Sequence, residues 1–257
     1  MNKIFFSFSL LLLGLQQAFG QLADSEKFKK RAANANNVVI ISPSYNAQFP
    51  FGNLKDRFGF NSNVGMMLSY RFGKSWIAGI EGNYLFGNKV KENTILSGIS
   101  TSEGQHITNE GYLVDSKLSE EGFSVKAVGG KVFRVSKRLP GSGIFLLGGL
   151  GYLQHKILIQ APTRLVPQLD KTYRKGYDRL SSGPVLSLGT GFMFMERKKL
   201  LNFYLGCQAD IAFTKNIRPW NFDQGKKDNT QRKDIFVGVK FGFIIPVYTN
   251  KDNEDLY

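Results

Sequence analysis

The side chains best suited to chemistry are few. Two histidines, His106 and His155, and one cysteine, Cys207, are all that the 257 residues offer beyond ordinary hydroxyls, carboxylates and amines. A lipid-modifying enzyme would need a serine or histidine with a carboxylate partner near the membrane surface. His155 lies late in an apolar segment, near Tyr152 and Lys156, and no serine motif accompanies it. Two isolated histidines without partner cysteines lack the spacing of a zinc site. The lone Cys207 can form no internal disulfide, and it falls on an apolar face where a thiol behaves as a small hydrophobe. No catalytic, metal or cofactor site is therefore expected.

The remaining candidates are charged residues whose placement depends on the elements carrying them. The stretch LLNFYLGCQADIAF, Leu200 to Phe213, alternates strictly. Leu201, Phe203, Leu205, Cys207, Ala209, Ile211 and Phe213 form one face; Asn202, Tyr204, Gly206, Gln208, Asp210 and Ala212 form the other. Period two over this length is a strand. A tilted strand crosses a bilayer with roughly 9–11 residues, so a long strand with a clean apolar face suits a membrane barrel. Seven more segments read the same way: Val38–Phe49, Gly59–Phe72, Ser75–Gly87, Phe123–Val135, Gly143–Ile159, Gly183–Met195 and Arg232–Tyr248. The glycines at 148, 149 and 151 leave the facing of the fifth open.

The expected fold is all-β, an eight-stranded antiparallel transmembrane β-barrel with four long outer loops and three short periplasmic turns. Connections alternate: PFGNLKDR, Asn88–Gly122, Gln160–Ser182 and Thr214–Gln231 are the longer ones, whereas Gly73–Lys74, SKRLPGS and ERKK are short. An even strand count returns both termini to the periplasm. A mean hydropathy of -0.20 is compatible with this, because alternation cancels in the average. The 28 glycines and the 32 phenylalanines and tyrosines fit a β protein with aromatic girdles.

The chain opens with Lys3, an apolar run from Ile4 to Leu15, and small residues at Ala18 and Gly20. That run is too short for a spanning helix, which needs roughly 20 residues, so residues 1–20 read as a signal peptide. Residues 21–37 are a polar periplasmic lead, 38–248 the barrel, and 249–257 an acidic periplasmic tail. The expected location is the outer membrane. The formal net charge is +14, and +13 once Lys3 is removed. Such a balance points to anionic neighbours, either lipopolysaccharide among the outer-membrane lipids or an envelope protein partner, and nucleic acid is not expected there.

Strand parity puts Arg71, Glu81, Asp210 and Lys240 inside, with Lys126 beside them, as a paired network filling the barrel. In the last long connection, Arg218, Trp220, Asn221, Phe222 and Asp223 form a candidate docking loop. Arg174, Lys175, Arg179, Lys226, Lys227 and Arg232 are candidate contacts for lipid phosphates.

The segments NYLFGN at 83–88, LQHKI at 153–157, KGYDRL at 175–180, NFYLG at 202–206, WNFD at 220–223 and FGFIIPVY at 241–248 carry a resemblance. Together they resemble a family of small single-barrel outer-membrane proteins from Bacteroidota, over essentially the whole mature chain. The architecture is also similar to OmpA- and OmpX-like barrels and to small barrels accompanying type IX secretion. The resemblance implies fold and location and supplies no catalytic residues. By analogy it implies an accessory or scaffold role in an envelope assembly or secretion complex; the alternatives are a small porin or solute channel and a lipid-modifying enzyme.

Overall fold

The computed structural model describes residues 38–73, 75–135, 141–161, 166–170, 172–195 and 202–247. The expected signal peptide, periplasmic lead, ERKK turn and acidic tail lie outside them.

The alternating segments become long strands because, in lipid, every backbone group must be satisfied within the protein, and each strand pairs with a neighbour on both sides. In order come β1 (Val38–Gly52), a short helix α1 (Leu54–Arg57), β2 (Asn61–Phe72) and β3 (Trp76–Gly87). A two-stranded hairpin follows, β4 (His106–Ile107) and β5 (Leu113–Val114), then β6 (Lys117–Arg134) and β7 (Gly143–Gln160). The described residues end with β8 (Ser181–Phe194), β9 (Phe203–Asn216), β10 (Gln231–Phe243) and β11 (Ile245–Val247). Each barrel strand pairs antiparallel with the next, and β10 pairs back onto β1 through Ser44 with Gly242 to Gly52 with Asp234. The sheet therefore closes as an eight-stranded ring and has no free edge.

Beyond a one-residue interruption at Ile244, β11 continues the same register against Val39–Ile41. Pro43 and Pro246, which lack backbone donors, flank this break. At the same end, in the turn between β2 and β3, Gly73 adopts φ 52, a left-handed conformation that glycine accepts without a Cβ clash.

Faces follow parity. Met66, Leu68, Ile80, Leu150, Leu188 and Val239 all point out and are exposed, whereas Asn46, Asn63, Glu81, Lys126 and Lys240 are buried inside. This is the inverse of a soluble protein and the polarity of a barrel standing in lipid. Aromatic side chains, among them Tyr70, Phe72, Trp76, Tyr84, Tyr152 and Phe203, stand on the exposed outer wall.

The structure departs from the sequence reading in two respects. First, β6 starts at Lys117 rather than Phe123, and it pairs with β7 out to Gln160. The polar run KLSEEG resembles a loop in composition, yet it continues as a ladder beyond the apolar band. Second, the interior is not polar throughout. At the turn end, Val38, Ile40, Ile77, Val132, Phe145, Met193, Tyr204 and Ile244 form one apolar cluster. At the loop end, Leu54, Phe58, Leu85, Ile95, Ile157, Leu169, Val185 and Phe236 form a larger one. The fifth sequence segment, β7, serves both: Phe145, Leu153, Ile157 and Ile159 face in, while Ile144, Leu146 and Leu150 face out. Gly148, Gly149 and Gly151, which leave its facing open in the sequence, lie among these residues, and apolar residues fall on both faces.

Candidate functional site

Between the two apolar clusters lies a layer of charge. Glu81 and Lys126 are cross-strand partners on β3 and β6, and their side chains meet at 3.0 Å. Lys240 reaches across from β10 to the other Glu81 oxygen at 2.6 Å. Lys126 also meets Asp210 of β9 at 3.2 Å, and Gln208 Nε2 donates to Asp210 at 2.9 Å. Asn83 Nδ2 donates to Glu81 at 2.9 Å. Two cations and two carboxylates thus balance in a space that excludes bulk water, as buried charges require. Arg71, grouped with them on parity, stands apart: it lies toward the turn end and donates to the Gly141 carbonyl and to Ser75 Oγ, each at 3.0 Å. Parity fixes the face of a strand and not the height on it. A cavity of about 30 Å³ is lined by Met67, Glu81, Tyr204 and Lys240, among others. That is enough for a water molecule.

Above this layer the four outer loops join. The chain of ion pairs runs from Arg57 on α1 to Glu92 at 3.2 Å, from Glu92 to Arg179 at 2.7 Å, and from Arg179 to Asp223 at 2.6 Å. These residues come, in order, from the β1–β2, β3–β6, β7–β8 and β9–β10 connections. Arg57 is buried, and burial lowers its pKa against the opposing pull of Glu92. Arg218 grips Asp178 with two guanidinium nitrogens, which ties the last two loops again. The Phe222 N–H donates to the Gly176 carbonyl at 2.9 Å, and its ring packs edge-on against Tyr177. A Cβ on Gly176 would sit 2.2 Å from that ring, so this close approach requires glycine. Asp228 accepts from Arg232 and from the Thr230 N–H. Burial raises its pKa, but these donors outweigh it and bring the carboxyl down to about 2.

This geometry revises the expected docking loop. Arg218, Asn221 and Asp223 are spent within the cap, with Asn221 buried against Asn216. Trp220 and Phe222 remain exposed. Of the expected phosphate contacts, Arg179 and Arg232 are held by carboxylates, and Arg174 donates to the Ile159 carbonyl. Lys175, Lys226 and Lys227 are exposed.

Beneath the cap is a cluster the sequence reading missed. His155 is fully buried; its Nε2 lies 3.2 Å from Asp234, while Nδ1 lies 3.8 Å from Glu120. Thr214 Oγ1 donates to the same Asp234 oxygen, and the Phe58 ring stands edge-on to the imidazole. Glu120 and Asp234 have the same inward parity as Lys126 and Lys240, so extending the alternation past the apolar band finds them. An imidazole between two carboxylates can move a proton, but a fully covered ring cannot meet a substrate. His106 is also buried, bonded to the Ile99 carbonyl at 3.1 Å and Ser116 Oγ at 2.8 Å, where it pins the β4–β5 hairpin. Cys207 is exposed on the outer wall. Among the described residues no group of three or more His, Cys, Asp or Glu converges as a metal site.

No protein-family model and no curated protein matches the chain. Among solved structures it is similar to Neisserial surface protein A, with a TM-score of 0.42 and 10% identity over 80% of this chain and 96% of that one. It is also similar to Ail, the attachment invasion locus protein of Yersinia pestis, in complex with the heparin analogue sucrose octasulfate. There the TM-score is 0.39 with 13% identity over 82% of this chain and 100% of that one. The eight-stranded closure of the present chain rests on its own strand register.

Proposed function

We propose that the chain is a non-enzymatic integral barrel of the outer membrane whose fused loop cap docks a larger envelope assembly or secretion complex. One observation carries this reading: the barrel is filled and capped, so that what it offers is a surface and not a passage. Apolar clusters close both ends of the lumen, the charge layer between them is internally paired, and the ion-pair chain from Arg57 to Asp223 makes four loops one body. A preorganised surface binds without first losing loop entropy. The exposed outer wall of Leu, Ile, Val and Met supports the membrane location. Both termini then lie in the periplasm, and Lys175, Lys226 and Lys227 are placed to meet lipopolysaccharide phosphates or an acidic partner. The accessory role proposed for this chain is of the kind implied by its resemblance to small barrels accompanying type IX secretion.

Planar-bilayer recording and pull-down test this together. Purified protein is expected to give no stable open channels, and a mild-detergent pull-down is expected to retain an envelope partner that a Glu92→Gln, Asp223→Asn chain loses. Steady single channels would favour the porin alternative and refute the filled barrel.

A further inference from the structure

We propose that a second copy of this chain docks head to tail beside the first, the acidic hairpin of one cap seating on the basic aromatic face of the next. The inference goes beyond the envelope-partner reading and does not need it.

The hairpin is a built feature. Its strands β4 and β5 pair only with each other. Its turn is tied by the Thr108 N–H to the Tyr112 carbonyl and the Tyr112 N–H to Thr108 Oγ1, and His106 anchors it at the foot of β6. Ile107 and Leu113 are cross-strand neighbours, yet they are 56% and 54% exposed, and Tyr112 is 68% exposed. Glu103, Glu110 and Asp115 are carried by the same segment; no lysine or arginine occurs between Glu92 and Ser116, and among the described residues no cation pairs with these three. An apolar tip with an acidic rim, unpaired on its own barrel, is unusual on a surface exposed only to solvent.

The opposite face has the complementary chemistry. Asp178, Asp223 and Asp228 are consumed by Arg218, Arg179 and Arg232, which leaves Lys175, Lys226 and Lys227 in excess. The same two loops carry the exposed rings of Tyr173, Trp220 and Phe222, and Tyr173 and Phe222 are in ring contact. Ring order supplies the geometry. The hairpin loop leaves the barrel between β3 and β6, and the Phe222 loop leaves it between β9 and β10, four strands further round an eight-strand ring. The two loops therefore leave the ring at opposite points of the same end, and Tyr173 and Lys175 join the second from the loop between β7 and β8. Two copies inserted in the same sense meet edge to edge at one height, which gives a heterologous contact able to propagate. Opposite charge supplies attraction and register, and apolar tips against aromatic rings supply the buried contact.

Thiol cross-linking in liposomes of purified full-length protein tests this. With Cys207→Ser as background, Leu113→Cys chains mixed with Trp220→Cys chains are expected to form a disulfide dimer, and neither chain alone should. Lys227→Cys gives a second position if Trp220→Cys disturbs its loop. Replacing Glu103, Glu110 and Asp115 by Lys on the Leu113→Cys chain should lower the yield by roughly tenfold or more. Replacing Lys175, Lys226 and Lys227 by Glu on the other chain should then restore it. Homotypic cross-links at the same yield, folded barrels that never cross-link, or a yield indifferent to charge reversal overturn the proposal. Monomers that instead bind dextran sulfate through the three lysines overturn it in favour of an acidic polysaccharide.

Discussion

Lys126 is the residue on which the internal charge layer turns, and Lys126→Met tests why. Its ammonium is almost fully covered and touches both Glu81, at 3.0 Å, and Asp210, at 3.2 Å. Methionine keeps most of the volume but removes the charge. Glu81 retains Lys240 at 2.6 Å, so it stays paired. Asp210 keeps only the Gln208 amide and becomes an uncompensated buried carboxylate. Leaving such a group behind costs about 3–5 kcal/mol. Lys240→Met has a different outcome: Lys126 still contacts both carboxylates, so the loss is nearer one charged hydrogen bond, about 1.5–3 kcal/mol. The double change Lys126→Met, Asp210→Leu removes both members of the orphaned pair and should recover most of the loss. Reversible denaturant unfolding in lipid or detergent measures all three. The reasoning fails if Lys126→Met is as stable as the parent, if Lys240→Met is the worse of the two, or if the double variant is no better than Lys126→Met.

The cap yields three further expectations. Glu92→Gln breaks the second link of the loop chain, so hydrogen exchange and proteolysis in the outer loops should accelerate while barrel unfolding changes little. Gly176→Ala drives a methyl group into the Phe222 ring and should shift Trp220 fluorescence toward a more solvated loop, read in a Trp76→Phe background. The depressed carboxyl of Asp228 adds loop stability that is present above its ordinary pKa and lost as pH falls from about 4 toward about 2. Trp220 fluorescence should report that loss, and Asp228→Asn should remove the pH dependence.

How far the sequence discloses this molecule follows from where lipid acts on it. Across the apolar band, each outward position must be apolar and each inward one need not be, so alternation reads directly into facing from Met66 to Val239. The ring order follows from short turns alternating with long loops. Above the band, lipid no longer imposes alternation; KLSEEG then looks like a loop although it is paired, and only the parity carried over from Lys126 separates Glu120 from its neighbour Glu121. Height was equally hidden: Arg71 and Lys126 share a parity and sit in different layers. The cap is least legible, because Arg57, Glu92, Arg179 and Asp223 lie on four loops and only the closed ring brings them together.

The layering also decides where function can reside. A charge layer in an eight-stranded lumen persists only if water cannot screen it, and each apolar cluster closes one route of entry. The turn-end cluster is built almost wholly from barrel strands, whereas the loop-end cluster depends on Leu54, Ile95 and Leu169 carried by the outer connections. The same loops that display Tyr112, Trp220 and Lys226 therefore also seal the barrel. A partner that distorted them would expose Phe58, His155 and the ionic layer below, at the cost of desolvated charge. Binding that leaves the cap intact avoids that penalty, so the exposed rim of hairpin and aromatic face is the part of the molecule free to engage another surface.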